Sequence, residues 1–138
     1  MASRRKGRIQ AFQALYAWDL GNRETSSGEE LPDFSRLLVA GTIENIKAID
    51  AMIRRHLQNW DFSRLNRVDL AILRMSCYAL MYQKDTAPTI IIDEAIGISR
   101  EFGTDDSYRF INGVLDSIRK TLEQESGINN QVPEGSGT

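Results

Sequence analysis

Apolar positions recur at the helical period along most of this chain. Between Pro88 and Phe102, the residues Ile91, Ala95, Ile98 and Phe102 fall at i, i+4, i+7 and i+11 and form one stripe. Gly103 is expected to end that helix in the left-handed conformation that closes many helix C-termini. Thr104, Asp105, Asp106 and Ser107 then offer side-chain oxygens to the first N–H groups of the next helix. In that helix Ile111, Val114, Leu115, Ile118 and Leu122 cluster on one side, the side a folded chain buries. Phe110 falls about 100° from Ile111 and groups with Asp106, Arg109 and Gly113. Such a ring either packs against a neighbouring helix or makes, with its cation, a platform for an unstacked base. The pattern alone leaves both readings open.

Upstream, a first helix runs from about Arg4 through AFQALYAWDL, with Ile9, Phe12, Leu15, Tyr16 and Leu20 on one face and a stop at Gly21-Asn22. The stretch GNRETSSGEELP has no apolar period and reads as a mobile loop. Asp33 caps a second helix in which Phe34, Leu38, Ile46, Ile49, Ile53 and Leu57 keep helical register to Asn59, with a break expected near Gly41. After Trp60, Asp61 starts a single helical turn and Asn66 caps the next helix. From Leu70 to Tyr82 that helix is apolar nearly all round, the mark of a helix enclosed by others. No alternating pattern or fixed-period repeat interrupts this series, so the fold class is all-α: one domain over 1–125 and a disordered tail over 126–138.

Charge changes the picture at one place. The net charge is −2, but Arg4, Arg5, Lys6 and Arg8 supply four of the 17 cations before any acid appears, leaving 13 cations against 19 acids, a balance of −6, for the rest. A helix macrodipole disfavours cations at its N-terminus, so these four serve either an anionic partner or a frayed, solvated end. Gly7 within the run weakens the first turn, so Arg4 and Arg5 are helical or part of a flexible arm. The single cysteine, Cys77, lies in the apolar run and reads as a small buried hydrophobe. The longest apolar run is too short to span a bilayer and no secretory signal is apparent, so a soluble cytoplasmic protein is expected. His56 has no second histidine or cysteine at ligand spacing, and no phosphate loop, dinucleotide fingerprint or nucleophile elbow is present. Neither catalysis nor a cofactor or metal is expected. Asp69 opens the central helix, where an acid suits the dipole.

Three separated segments, RRKGRIQAFQALYAWDL, RLNRVDLAILRMSCYAL and PTIIIDEAIGISREFGTDDSYRFINGVLD, together resemble the NusB family of bacterial transcription antitermination factors, in family order from Arg4 to about Leu122. The resemblance implies about seven helices in two orthogonal three-helix bundles sharing one long central helix. It also implies binding of boxA leader RNA together with NusE, a free small-subunit ribosomal protein, within an antitermination complex on RNA polymerase, notably at ribosomal RNA operons. Relatives are expected as monomers or as dimers. Carried over by position, the family's arginine-rich start maps onto Arg4, Arg5, Lys6 and Arg8. Its DS–basic–F pattern maps onto Asp106, Ser107, Arg109 and Phe110, all assigned to RNA, and Asp69 is assigned to the NusE-facing surface. Competing classes are a helical duplex-DNA-binding module, the RNA-targeting domain of an RNA methyltransferase, and a purely structural interaction protein.

Overall fold

The computed structural model describes residues 3–21, 31–58 and 61–136, with side chains as far as Ser126. Six α-helices and one 3-10 turn occur among them: α1 (Arg4–Asp19), α2 (Asp33–Glu44), α3 (Ile46–Arg55), the turn Phe62–Arg64, α4 (Arg67–Tyr82), α5 (Pro88–Phe102) and α6 (Ser107–Ser136). α4 is the axis of the fold. It packs against α1, α2, α3, α5 and α6, so one bundle is α1–α2–α4, the other is α4–α5–α6, and α3 bridges them. Asn66 caps α4 by accepting from the backbone N–H groups of Val68 (2.8 Å) and Asp69 (3.3 Å), and Asp61 accepts from the Ser63 N–H (3.0 Å) ahead of it. Leu70, Ala71, Ile72, Leu73, Met75 and Cys77 on α4 are all buried, as the continuous apolar run requires. Burial pushes the Cys77 thiol up to about 12, so it stays protonated and serves as packing.

Several local expectations are corrected. The second helix breaks at Asn45, not at Gly41, and the Asn45 side-chain amide donates to the Gly41 carbonyl (2.8 Å). Gly41 is glycine because α2 lies against α4 there: a Cβ would overlap the Tyr78 ring. The following helix ends at Arg55 with His56 at its C-cap, short of Asn59. Pro32, not Asp33, holds the α2 cap position, and Asp33 sits in the first turn paired with Arg36. Gly103 closes α5 with φ −94°, outside the left-handed region; a Cβ there would stand 2.6 Å from Ser107 Oγ, so close approach is what demands glycine. α6 extends helically to Ser136, past Leu122 and into the stretch expected as tail, whose side chains beyond Ser126 lie outside the described residues. Trp60 and most of the expected mobile loop, 22–30, also lie outside them.

The basic start is helical. Ser3 caps α1 by accepting from the Lys6 N–H (2.9 Å), a signal present in the sequence but overlooked there. Gly7 lets α2 seat directly on α1: Ser35 Oγ donates to the Gly7 carbonyl (2.8 Å), and a Cβ on Gly7 would lie 2.9 Å from the Phe34 ring. The glycine costs helix propensity, about 1 kcal/mol, and permits this contact in return.

Candidate RNA-binding surfaces

Ser107 opens α6 with its hydroxyl turned back: Oγ accepts from the Thr104 N–H (2.9 Å) and lies 3.1 Å from Thr104 Oγ1. The turn is therefore fixed by Ser107 reaching toward Thr104, the reverse of the direction expected from the sequence. Along α6 the stripe of Ile111, Val114, Leu115 and Ile118 is buried against the core, while Phe110 is half-buried at its edge. Phe110, Arg109, Ser107 and Asp106 line one open cavity of about 620 Å³ with Asp69, Asn66, Leu65, Arg64 and Thr104. Gly113, grouped with Phe110 by angle, is exposed, and a Cβ on it would meet nothing within 4 Å.

This cavity combines a ring edge, two arginines and a buried acid. The Arg109 side chain is 72% exposed, with Asp106 at 3.7 Å as a loose neighbour. Asp69 is only 7% exposed, and its Oδ1 has no hydrogen-bond partner. Burial holds the Asp69 carboxyl above the ordinary carboxylate range, against the Ser107 hydroxyl, which favours the ionised form. The sequence explains Asp69 as a helix-end acid, and the family resemblance assigns it to a protein partner. The fold sets it beside the very residues assigned to RNA, so one partner surface can run into the other.

Tyr108 was missed. Two guanidiniums approach its ring, Arg100 at 4.2 Å and Arg109 at 5.2 Å, and the first of these contacts joins the end of α5 to the start of α6. The only signal in the sequence is an aromatic next to Arg109, too ordinary to stand out.

The four N-terminal cations are not equivalent. Arg5 is ion-paired with Glu94 and its guanidinium lies over Gly97 on α5. Arg8 is buried, and burial lowers its pKa while Glu94 acts to raise it. Arg4 and Arg8 stack on Phe34, at 4.1 and 5.3 Å from the ring centre. Arg4 and Lys6 line a second open cavity, which shares no residue with the first. The two sites lie toward opposite ends of α1: Asp19 at its C-terminal end pairs with Arg67 (3.1 Å), in the same α4 turn that supplies Asp69. Elsewhere the lone histidine is tied to structure, with His56 Nδ1 2.6 Å from Ser117 Oγ.

A small helical scaffold that holds cations and aromatic rings at two open cavities, around a helix buried on all sides, is the class of protein defined by this fold and these sites. The chain belongs to the NusB family, whose model matches residues 5–120. It is 53% identical over 129 residues to a transcription antitermination protein NusB of Treponema denticola, covering 84% of this chain and 95% of that one. Among solved structures it is similar to T. maritima NusB, with a TM-score of 0.79 and 33% identity, covering 86% of this chain and 92% of that one. It is also similar to a chain in a crystal structure of the antitermination factors NusB and NusE in complex with dsRNA, with a TM-score of 0.74 and 26% identity over 86% of this chain and 96% of that one. No helix among the described residues is long and apolar enough to cross a membrane.

Proposed function

We propose that this chain is a cytoplasmic, non-enzymatic transcription antitermination factor that holds boxA leader RNA together with NusE, as part of the antitermination complex on RNA polymerase at ribosomal RNA operons. The observation that carries the reading is the cavity at the start of α6, where Phe110 and Arg109 stand at an open surface beside Asp106 and Ser107 in a chain of the NusB family. Single-stranded RNA exposes base faces that stack on aromatic rings, while cations position the phosphates. Phe110 is the stacking platform, Arg109 and the basic end of α1 meet phosphates, and Asp69 faces NusE. One small patch gives modest affinity; assembly with NusE adds a second linked contact and raises it without new chemistry.

Titrating boxA-like RNA, scrambled RNA and duplex DNA, each with and without NusE, tests this directly. Preference for boxA-like RNA, strengthened by NusE, is expected. Equal binding to duplex DNA, or indifference to NusE, would refute it.

A further inference from the structure

Phe34, Leu37 and Gln10 have no role in RNA binding as set out so far, yet with Arg4, Lys6 and Asp33 they line the open groove of about 860 Å³ between the first turns of α1 and α2. Phe34 carries the Arg4 guanidinium 4.1 Å from its ring centre, with Arg8 behind at 5.3 Å. A guanidinium laid on a ring has lost much of its rotamer freedom before any ligand arrives, and it keeps N–H groups for an incoming acceptor. Leu37, on the same helix turn as Phe34, is 66% exposed and so serves no core. Asp33, the acid in this lining, is ion-paired with Arg36, which leaves Arg4 and Lys6 to set the sign of the groove. Cations, an apolar ledge and a carboxamide side by side match three recognition features of a nucleotide: phosphate, base face and base edge.

We propose that this groove is a second nucleotide subsite for single-stranded RNA, in which Phe34 is a positioning residue that sets Arg4 for a phosphate while Leu37 and Gln10 contact the base. The subsite rests on the RNA-binding function argued above and adds residues to it.

The experiment is fluorescence anisotropy of single-stranded boxA-like RNA with the full chain at several salt concentrations, with melting of each variant alongside. Leu37→Ser is expected to weaken binding roughly two- to fivefold with Tm unchanged, since the side chain is exposed. Phe34→Leu is expected to lose a similar factor and to flatten the dependence of log K on log salt by up to about one, while Phe34→Tyr retains both. Phenylalanine carries no charge, so a change in salt slope reports the placement of Arg4, which lost packing alone would not alter. Normal wild-type binding, with an unchanged slope in Phe34→Leu and unchanged affinity in Leu37→Ser, would overturn the subsite alone. So would loss of protein-partner binding in these variants with RNA binding intact. Failure of the wild type to bind RNA would overturn the subsite and the function together.

Discussion

Arg74 and Arg109 sit on helices of one core, and their surroundings are opposite. Arg74 on α4 is 8% exposed and answered from within by two acids: Nε and Nη2 donate to the two Asp50 oxygens at 2.9 Å each, and Nη1 donates to Asp19 at 3.2 Å. Burial works against its charge, and Asp50 and Asp19 outweigh that, raising its pKa further. The cluster joins α1, α3 and α4, with the Trp18 and Phe62 rings about it at 6.0 and 5.9 Å. Beside the first turn of α4, Arg109 is exposed and Asp69 is buried with an oxygen left over. The contrast separates charges spent on the fold from charges that, under the proposed function, meet a partner. A cation enclosed by its own acids is spent on the fold; Arg109, held only by a loose Asp106 pair and the Tyr108 ring, stays accessible from solvent, while the unpartnered Asp69 oxygen is the group that costs the fold.

The comparison breaks first at Arg74. Arg74→Ala strands the largely buried Asp50 carboxylate and leaves Asp19 only its exposed partner Arg67, and it is expected to cost about 3–5 kcal/mol in chemical denaturation; a loss below about 1 kcal/mol would mean that water already serves these acids. Phe110→Ala is next, expected to lower boxA affinity by about 1–3 kcal/mol while helical content and melting hold. A parallel fall in stability would place the ring with the core instead.

Asp69→Asn sharpens the comparison in the other direction. An acid whose folded pKa is raised ionises first in the unfolded chain, so the fold loses stability as pH rises through the unfolded pKa toward the folded one. The variant is therefore expected to melt a few degrees higher at neutral pH, with the advantage gone once the solution is acid enough to protonate the unfolded carboxyl. A lower Tm at neutral pH would show that the fold needs the carboxylate. The smallest effect is expected at Glu94→Gln, which releases Arg5: RNA affinity should rise by a few tenths of a kcal/mol with a steeper salt dependence, and unchanged titrations would leave Arg5 as a structural residue only.

Much of this was legible in the residues because burial follows period. The enclosed helix from Leu70 to Tyr82, the stripe on α6 and the off-stripe place of Phe110 all follow from 3.6-residue spacing, and Asp61 and Asn66 announce their caps chemically. What escaped depends on which helix lies opposite. Gly41 looked like a breaker and Gly7 like a weak turn because a missing Cβ does not say whether it serves the backbone or a neighbour, here Tyr78 and Phe34. In the same way four adjacent cations look alike on paper, and only the approach of α5 and α2 assigns Arg5 to Glu94 and Arg4 to Phe34. Asp69 read as a favourable helix-end charge because its burial beside Ser107 depends on α6, which is distant in sequence.

α1 runs unbroken from Arg4 to Asp19, with one cavity near its beginning and the other toward its end. At about 1.5 Å per residue, Lys6 and Asp19 stand about 20 Å apart along a rod that cannot stretch. Asp19 lines neither cavity and is tied to the one at the start of α6 only through Arg67, so the helix sets a rigid spacing of that order between them; under the proposed function a single strand held at both places meets it as a ruler, and extra RNA between the two would be looped out.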